Sequence, residues 1–182
     1  MATKIKICLL FVVLLGACSK LNNSPTVNDD FPSKILMTAQ DLPSGWQMTS
    51  FNFEEVPNAK SRSVDYHVSF EPNKLYFHVL HQLVVYPNEN EAVKAYSEWE
   101  SKYFPTNDWR SPFVNDFNPK GLFRLECLNQ NINGQPFIVC RYIQKYKNLI
   151  SLVLANLDGA YLNLEQLINA LKILDIRMQQ HG

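Results

Sequence analysis

Two histidines, His67 and His78, come nearest to a metal-binding pattern in this chain. They lie in two stretches of strand character, and a turn at Pro72-Asn73 between the stretches would place His67 directly opposite His78. Two imidazoles on adjacent strands could bind a metal if Asp65 supplied a third ligand. Two ligands do not make a site, so we interpret both histidines as surface residues on a polar sheet face. We predict no metal and no cofactor.

The chain lacks the sequence signatures of the common enzyme classes. It has no nucleophile elbow, HExxH, phosphate-binding or dinucleotide-binding motif, and only 6 Gly residues could build a backbone anion cradle. Glu54, Glu55 and Asp65 are acidic, but no recognisable partner for acid–base chemistry accompanies them. We therefore predict no catalytic residues and a non-enzymatic protein. The alternative is a hydrolase or metal-dependent enzyme with an unrecognised site.

The N-terminus has the pattern of an export signal. Lys4 and Lys6 precede an apolar run at 7–15, and the small residues Gly16 and Ala17 follow it. The run is too short to span a bilayer comfortably. We therefore expect residues 1–17 to be a signal peptide that is removed on export.

The stretch Leu15-Gly16-Ala17-Cys18 resembles the lipobox of bacterial lipoproteins, in which an aliphatic residue and two small residues precede a cysteine. The resemblance implies a diacylglyceryl group on the Cys18 thiol, cleavage after Ala17, and further acylation of the new amino terminus with a fatty acid such as palmitate. Two or more chains give a lasting anchor, because each buried methylene contributes about 0.8 kcal/mol. The alternative is an ordinary secretory signal that a cysteine happens to follow.

The resemblance also implies a location in the cell envelope. Ser19 follows Cys18, and by similarity to enteric lipoproteins a serine there does not signal retention in the inner membrane. We expect the outer membrane in a diderm organism and the outer face of the cell membrane otherwise. The polar, Pro-containing residues after Cys18 indicate a flexible tether, so we divide the exported chain into 18–32 and one domain at 33–182.

The charge balance argues against nucleic acid as a partner. The chain has 17 Lys and Arg residues against 17 Asp and Glu residues, and no basic cluster stands out. The partners we expect are the membrane, through the lipid anchor, and an envelope protein or a small apolar ligand.

Cys127 and Cys140 remain as an even pair once Cys8 is assigned to the signal peptide and Cys18 to lipid. An oxidising compartment favours a disulfide between such a pair. Asn133-Gly134 between two stretches of strand character indicates a type I′ hairpin, which places Cys127 opposite Cys140.

The rung that holds the two cysteines follows from the same turn. Counted outward from the closing pair, Ile132 and Gln135, the cysteines occupy a non-hydrogen-bonded rung. On such rungs the Cα atoms approach to about 4.5 Å, which a disulfide accepts. We predict a cross-strand disulfide; the alternative is two free buried thiols.

Periodicity predicts an α+β fold, with an antiparallel sheet of about six strands and helices packed on it. The pairing of the two strands around Pro72-Asn73 leaves one face apolar and one mostly polar, which indicates a sheet covered on one side. The predicted elements are a short helix at 33–40, strands at 46–53, 64–71 and 74–86, a helix capped by Asn88, the cysteine hairpin, a strand at 149–157 and a helix capped by Asn163.

This element order, with the segment Asp41-Leu42-Pro43-Ser44-Gly45-Trp46, loosely resembles uncharacterised envelope lipoproteins with PsbP/Mog1-like or extracellular-sensor α+β folds. The resemblance covers Ile35 to Met178 in element order. It implies a fold class and transfers no functional residue.

A long Pro- and Asn-rich loop at 105–120 contains Trp109, Phe113 and Phe117. Loops of this length are often functional, so the three aromatics form a candidate interaction loop. The alternative is that they fold back and cover the core, which large aromatic side chains favour. The expected function is a membrane-anchored, non-enzymatic binding domain; the alternative is an envelope hydrolase or metal-dependent enzyme.

Overall fold

Six antiparallel strands form the sheet in the part of the chain that the structure describes. The structure, a computed structural model, describes residues 30–50, 55–68, 78–112, 114, 116–132 and 134–182. The predicted signal peptide, Cys18, the tether up to residue 29, the Pro72-Asn73 turn, Phe113 and Asn133 lie outside the described residues. The strands are β1 (Gln47–Ser50), β2 (Lys60–His67), β3 (His78–Val85), β4 (Leu122–Ile132), β5 (Gln135–Tyr146) and β6 (Leu149–Leu157).

The order of the strands across the sheet is β1-β2-β3-β6-β5-β4, and all five neighbouring pairs are antiparallel. The predicted α+β class is therefore confirmed. Both predicted registers are also confirmed, because His67 faces His78 and Cys127 faces Cys140. Strand β2 begins at Lys60, four residues before the predicted start, since its pairing with β3 continues as far as Val85.

Two helices have the N-terminal caps that the sequence predicts. The side chain of Asn88 accepts a hydrogen bond from the Glu91 N–H at the start of α1 (Glu89–Tyr103). Asn163 and Gln166 form a reciprocal capping box at the start of α2 (Leu164–His181). No helix in the described part of the chain is both long enough and apolar enough to cross a membrane.

Helices cover both faces of the sheet, so the expectation of a sheet covered on one side was wrong. Neighbouring residues of a strand point to opposite faces, and in β5 the buried Tyr142 packs in the cluster that includes α2 while the buried Ile143 packs in the cluster that includes α1. The polar face of β2 suggested an open side. The central strands, however, are apolar on both faces, and Ile150 and Val153 of β6 bury on opposite sides.

The N-terminal segment forms two 3₁₀ turns, Ser33–Ile35 and Ala39–Asp41, rather than the predicted helix at 33–40. Met37 lies between the turns, and its backbone groups bond to side chains of the sheet. Its N–H donates to Nδ1 of His81 at 3.0 Å, and its carbonyl accepts from the Tyr66 hydroxyl at 2.6 Å. These bonds replace those that a continuous helix would make.

Candidate functional site

The two histidines lie together as the register requires, at the end of β2 and the start of β3. Nδ1 of His78 is 3.8 Å from Oδ1 of Asp65. Burial raises the pKa of the Asp65 carboxyl, and the nearby His78 and His67 oppose that shift. Within the described ranges, no group of three or more His, Cys, Asp or Glu side chains has the spacing that a metal ion needs.

Trp109 and Phe117 are packed onto the sheet on opposite faces. Trp109 is 6% exposed and meets Phe104 edge to face at 5.8 Å in the α1 cluster. Phe117 is half-buried and packs against Phe123 and Tyr142 on the α2 side. These two side chains thus fit the covering interpretation of the loop and are not offered to solvent as a recognition surface. Phe113 lies outside the described residues.

The chain from Phe104 to Pro112, here called the edge segment, runs along the outer side of β4. Its pairing with β4 is made by Arg110, whose N–H donates to the Cys127 carbonyl at 2.9 Å. The Cys127 N–H in turn donates to the Arg110 carbonyl at 2.8 Å. The guanidinium of Arg141 lies 4.2 Å from the centre of the Trp109 ring, which holds the segment against the α1 face.

A disulfide joins Cys127 to Cys140, with Cα atoms 4.1 Å apart. On this non-hydrogen-bonded rung the backbone N–H and C=O of Cys127 point away from β5, which is why Arg110 can bond to both. Cys140 is buried, whereas Cys127 is half-buried and lines a cleft. The disulfide therefore stiffens the part of β4 to which the edge segment is attached.

The cleft has a volume of about 330 Å³ and lies between the edge segment, the β4–β5 hairpin and the start of α2. Its apolar lining comes from separate elements, and its polar rim comes from the edge segment and β4. Ile138, a large apolar residue of β5, is 43% exposed. The apolar lining residues are Leu128, Ile138, Leu157 and Leu164, and polar lining residues include Asp108, Arg110 and Asn129.

No sequence motif marks this cleft, because its lining residues are far apart in sequence. One signal was present: Ile138 lies two residues before Cys140 and opposite the polar Asn129. The predicted hairpin register therefore placed an apolar side chain on the α2 face of the hairpin. That register contained no information on how far α2 would extend over the same face.

The one buried histidine among the described residues, His81, forms a pair with Ser151 that is arranged like part of a hydrolase site but is closed to solvent. Nε2 of His81 is 3.0 Å from Oγ of Ser151, and both residues are 0% exposed. Because Nδ1 accepts the Met37 N–H, Nε2 must bear the proton and donate to Ser151. No substrate can reach this pair without unfolding, so it holds the N-terminal segment in place.

The groups whose pKa values are displaced lie away from the cleft. Burial lowers the pKa of His81 to about 3, with the charge of Arg177 adding to the effect. Burial raises the pKa of Tyr86 and of Tyr96 to about 12, in both cases with a nearby glutamate adding to it. An enzyme site is expected to gather such groups in a concave pocket. The described lining of the cleft includes none of these three side chains.

No protein-family model matches the chain, and no curated protein sequence is similar to it. Among solved structures, the chain is similar to the extracellular domain of PknH from Mycobacterium tuberculosis, with 11% identity, a TM-score of 0.46, and coverage of 81% of this chain and 94% of that one. It is also similar to a crystal structure from Bacteroides thetaiotaomicron VPI-5482, with 9% identity, a TM-score of 0.36, and coverage of 70% and 40%. At these scores the function must be argued from the residues of this chain.

Proposed function

We propose that this protein is an envelope lipoprotein whose folded unit is a non-enzymatic binding domain, and that the cleft beside the disulfide is its binding surface. The observation that supports this proposal is the cleft itself, in which apolar side chains from β5, β6 and α2 converge and Ile138 is exposed. The occupant is a small apolar ligand or an apolar side chain of an envelope protein.

The size and chemistry of the cleft fit binding better than catalysis. Ligand pockets typically have volumes of about 300–1,000 Å³, with an apolar lining and a few polar groups that orient the ligand. This cleft is at the small end of that range, and Asp108, Arg110 and Asn129 supply the polar groups. Full burial of an exposed Ile side chain contributes about 1.5–3 kcal/mol, and because Ile138 is 43% exposed, its burial by a ligand contributes about 0.6–1.3 kcal/mol.

Binding at the cleft is tested with the fluorescent probe 1-anilinonaphthalene-8-sulfonate, which combines an apolar ring system with one negative charge. We expect saturable binding that Ile138→Ser weakens by about three- to tenfold, because the variant loses the apolar contact that the exposed part of Ile138 makes with the probe. The matched control is Ile176→Ser on α2, where the isoleucine is 52% exposed and lies outside the cleft lining. Equal affinity in the two variants would place the probe elsewhere and contradict the proposal.

The lipid anchor rests on the lipobox-like stretch that ends at Cys18 and is tested separately. Cells that express the protein are labelled with tritiated palmitate and fractionated. We expect label in the protein and recovery with membranes, both lost in Cys18→Ala and both retained in Cys8→Ala, which removes the other cysteine of the N-terminal region. Membrane recovery of Cys18→Ala equal to that of the unaltered protein would show that lipid at this cysteine is not the anchor.

A further inference from the structure

Strand β4 lies at the edge of the sheet, and the described edge segment pairs with it only at Cys127. Two residues before Arg110, Asp108 lies in a turn and makes no backbone hydrogen bond to β4 among the described residues. Every second residue of a strand has the same orientation, so the backbone N–H and C=O of Asn129 point outward just as those of Cys127 do. Within the described part of the chain, no backbone group forms a hydrogen bond with Asn129 on that side.

The exposed backbone groups of Asn129 lie beside the apolar lining of the cleft. Asn129 faces Ile138 across the β4–β5 pair, and both side chains are on the α2 face of the sheet. Residues paired across adjacent strands have their side chains on the same face. A residue that paired with Asn129 from outside would therefore place its side chain on the side of Ile138, Leu157 and Leu164.

The existing bridge at Cys127 shows that this edge accepts a strand. Arg110 already makes both hydrogen bonds of an antiparallel pair there, so an added segment beside Asn129 would continue the same hydrogen-bonding edge. A small apolar molecule would fill the lining but make no use of the N–H and C=O of the exposed Asn129, which would stay bonded to water. An extended peptide satisfies the backbone groups and fills the lining together.

We propose that the occupant of the cleft is an extended peptide segment of a partner protein, which adds to the edge of β4 at Asn129 and inserts a branched apolar side chain against Ile138. This inference rests on the proposed function, because it uses the same cleft, and it names the partner as a protein rather than a free small molecule.

The experiment starts from a phage-displayed library of random decapeptides, selected on the full-length protein purified in detergent. The tightest peptide is synthesised with a fluorophore, and its Kd is measured by fluorescence anisotropy for the unaltered protein, Asn129→Pro and Asn129→Ala. Proline removes the outward N–H, which the β4–β5 ladder does not use, whereas alanine keeps it. We expect Asn129→Pro to bind the peptide about tenfold or more weakly than Asn129→Ala, because both variants lose the amide side chain and only the proline variant also loses the outward N–H.

A second measurement does not depend on how well the proline variant folds. Methylation of the backbone nitrogen of the peptide residue that donates to the Asn129 carbonyl leaves every side chain unchanged and removes one hydrogen bond. We expect this peptide to bind the unaltered protein about tenfold more weakly, while methylation at the adjacent nitrogen, which points away from β4, has a smaller effect.

Three results would overturn the inference. The first is a selection that gives no peptide with a Kd below about 1 mM, and the second is equal binding of the methylated and unmethylated peptides. The third is a dimer in analytical ultracentrifugation that Asn129→Pro dissociates and the peptide does not, since the edge would then bind a second copy of this chain. Probe binding that still depends on Ile138 in any of these cases would leave the proposed function standing.

Discussion

Acidification should destabilise this fold through His81. The imidazole is fully buried, its Nδ1 accepts the Met37 N–H, and its Nε2–H donates to Ser151, so the neutral ring satisfies all its partners. Protonation would place a second N–H against the Met37 N–H and a charge in the core. The positive charge of Arg177 disfavours a protonated His81. The carboxylate of Asp41, which binds Arg177 at 2.6 Å and 2.8 Å, favours protonation, but its effect is smaller than that of Arg177.

The magnitude follows from the difference between the two states of the protein. Burial lowers the pKa of His81 to about 3 in the folded protein, against an ordinary value near 6.5 in the unfolded chain. Below pH 6.5 the unfolded chain therefore binds a proton that the folded protein does not, so stability is lost as the pH falls. The loss is about 1.4 kcal/mol per pH unit, which amounts to about 3 kcal/mol between pH 7.5 and pH 4.5.

The assay is equilibrium urea unfolding of the purified protein, followed by tryptophan fluorescence at several pH values. Carboxyl groups also titrate in this range, so the quantity of interest is the difference between the unaltered protein and His81→Gln. Glutamine cannot take up the proton and can still accept from Met37 and donate to Ser151. The control is His181→Gln, which replaces an exposed histidine of α2 and leaves the buried His81–Ser151 pair intact.

We expect the stability difference between the unaltered protein and His81→Gln to be constant above pH 7.5. Below pH 6.5 it should shift by about 1.4 kcal/mol per pH unit in favour of the variant. A difference that stays within about 0.5 kcal/mol from pH 7.5 to pH 4.5 would refute the reasoning, because it would mean that folded and unfolded His81 bind protons alike.

Three further predictions concern stability at neutral pH and are measured by urea unfolding. Gly121→Ala should lower the free energy of unfolding by more than about 2 kcal/mol, because Gly121 has φ +85° and an added Cβ would overlap a β5 carbonyl oxygen. The control is Gly159→Ala, which has open space around it and should change stability little. Similar values for the two variants would contradict the clash. Asn163→Ala should cost about 1 kcal/mol through loss of the α2 cap, and a change below about 0.3 kcal/mol would count against a role for the cap. Replacing Cys127 and Cys140 together by alanine should lower the free energy of unfolding by about 3 kcal/mol, as expected for a disulfide with a sequence separation of 13. An unchanged free energy of unfolding would show that the disulfide does not stabilise the fold.

Signals that act over a few residues predicted much of this fold. The Asn133-Gly134 turn determined the register of an entire hairpin, because pairing propagates outward one rung at a time once the turn is known. Asn88 and Asn163 marked the starts of both helices, since a cap needs only the next three residues.

Features that depend on residues distant in sequence could not be read in this way. Met37 leaves the helical conformation because of His81, which lies 44 residues further along the chain. His81 alternates with the apolar Val79 and Leu83 in the sequence, but nothing near it indicates the backbone N–H that makes its burial possible. The cleft likewise depends on Leu164 of α2 lying over the β4–β5 hairpin, which no local pattern specifies.

Phe31, the first residue of the compact unit Phe31–Gly182, lies under the Arg62 guanidinium at 4.8 Å. Through the sheet registers, Arg62 shares a row with Gln144 of β5, whereas the cleft residue Leu128 shares a row with Val139. Five residues of β5 separate these rows, which is about 17 Å along the strands. A biosensor that couples the domain to a chip through its N-terminal end would therefore leave the cleft open to analyte.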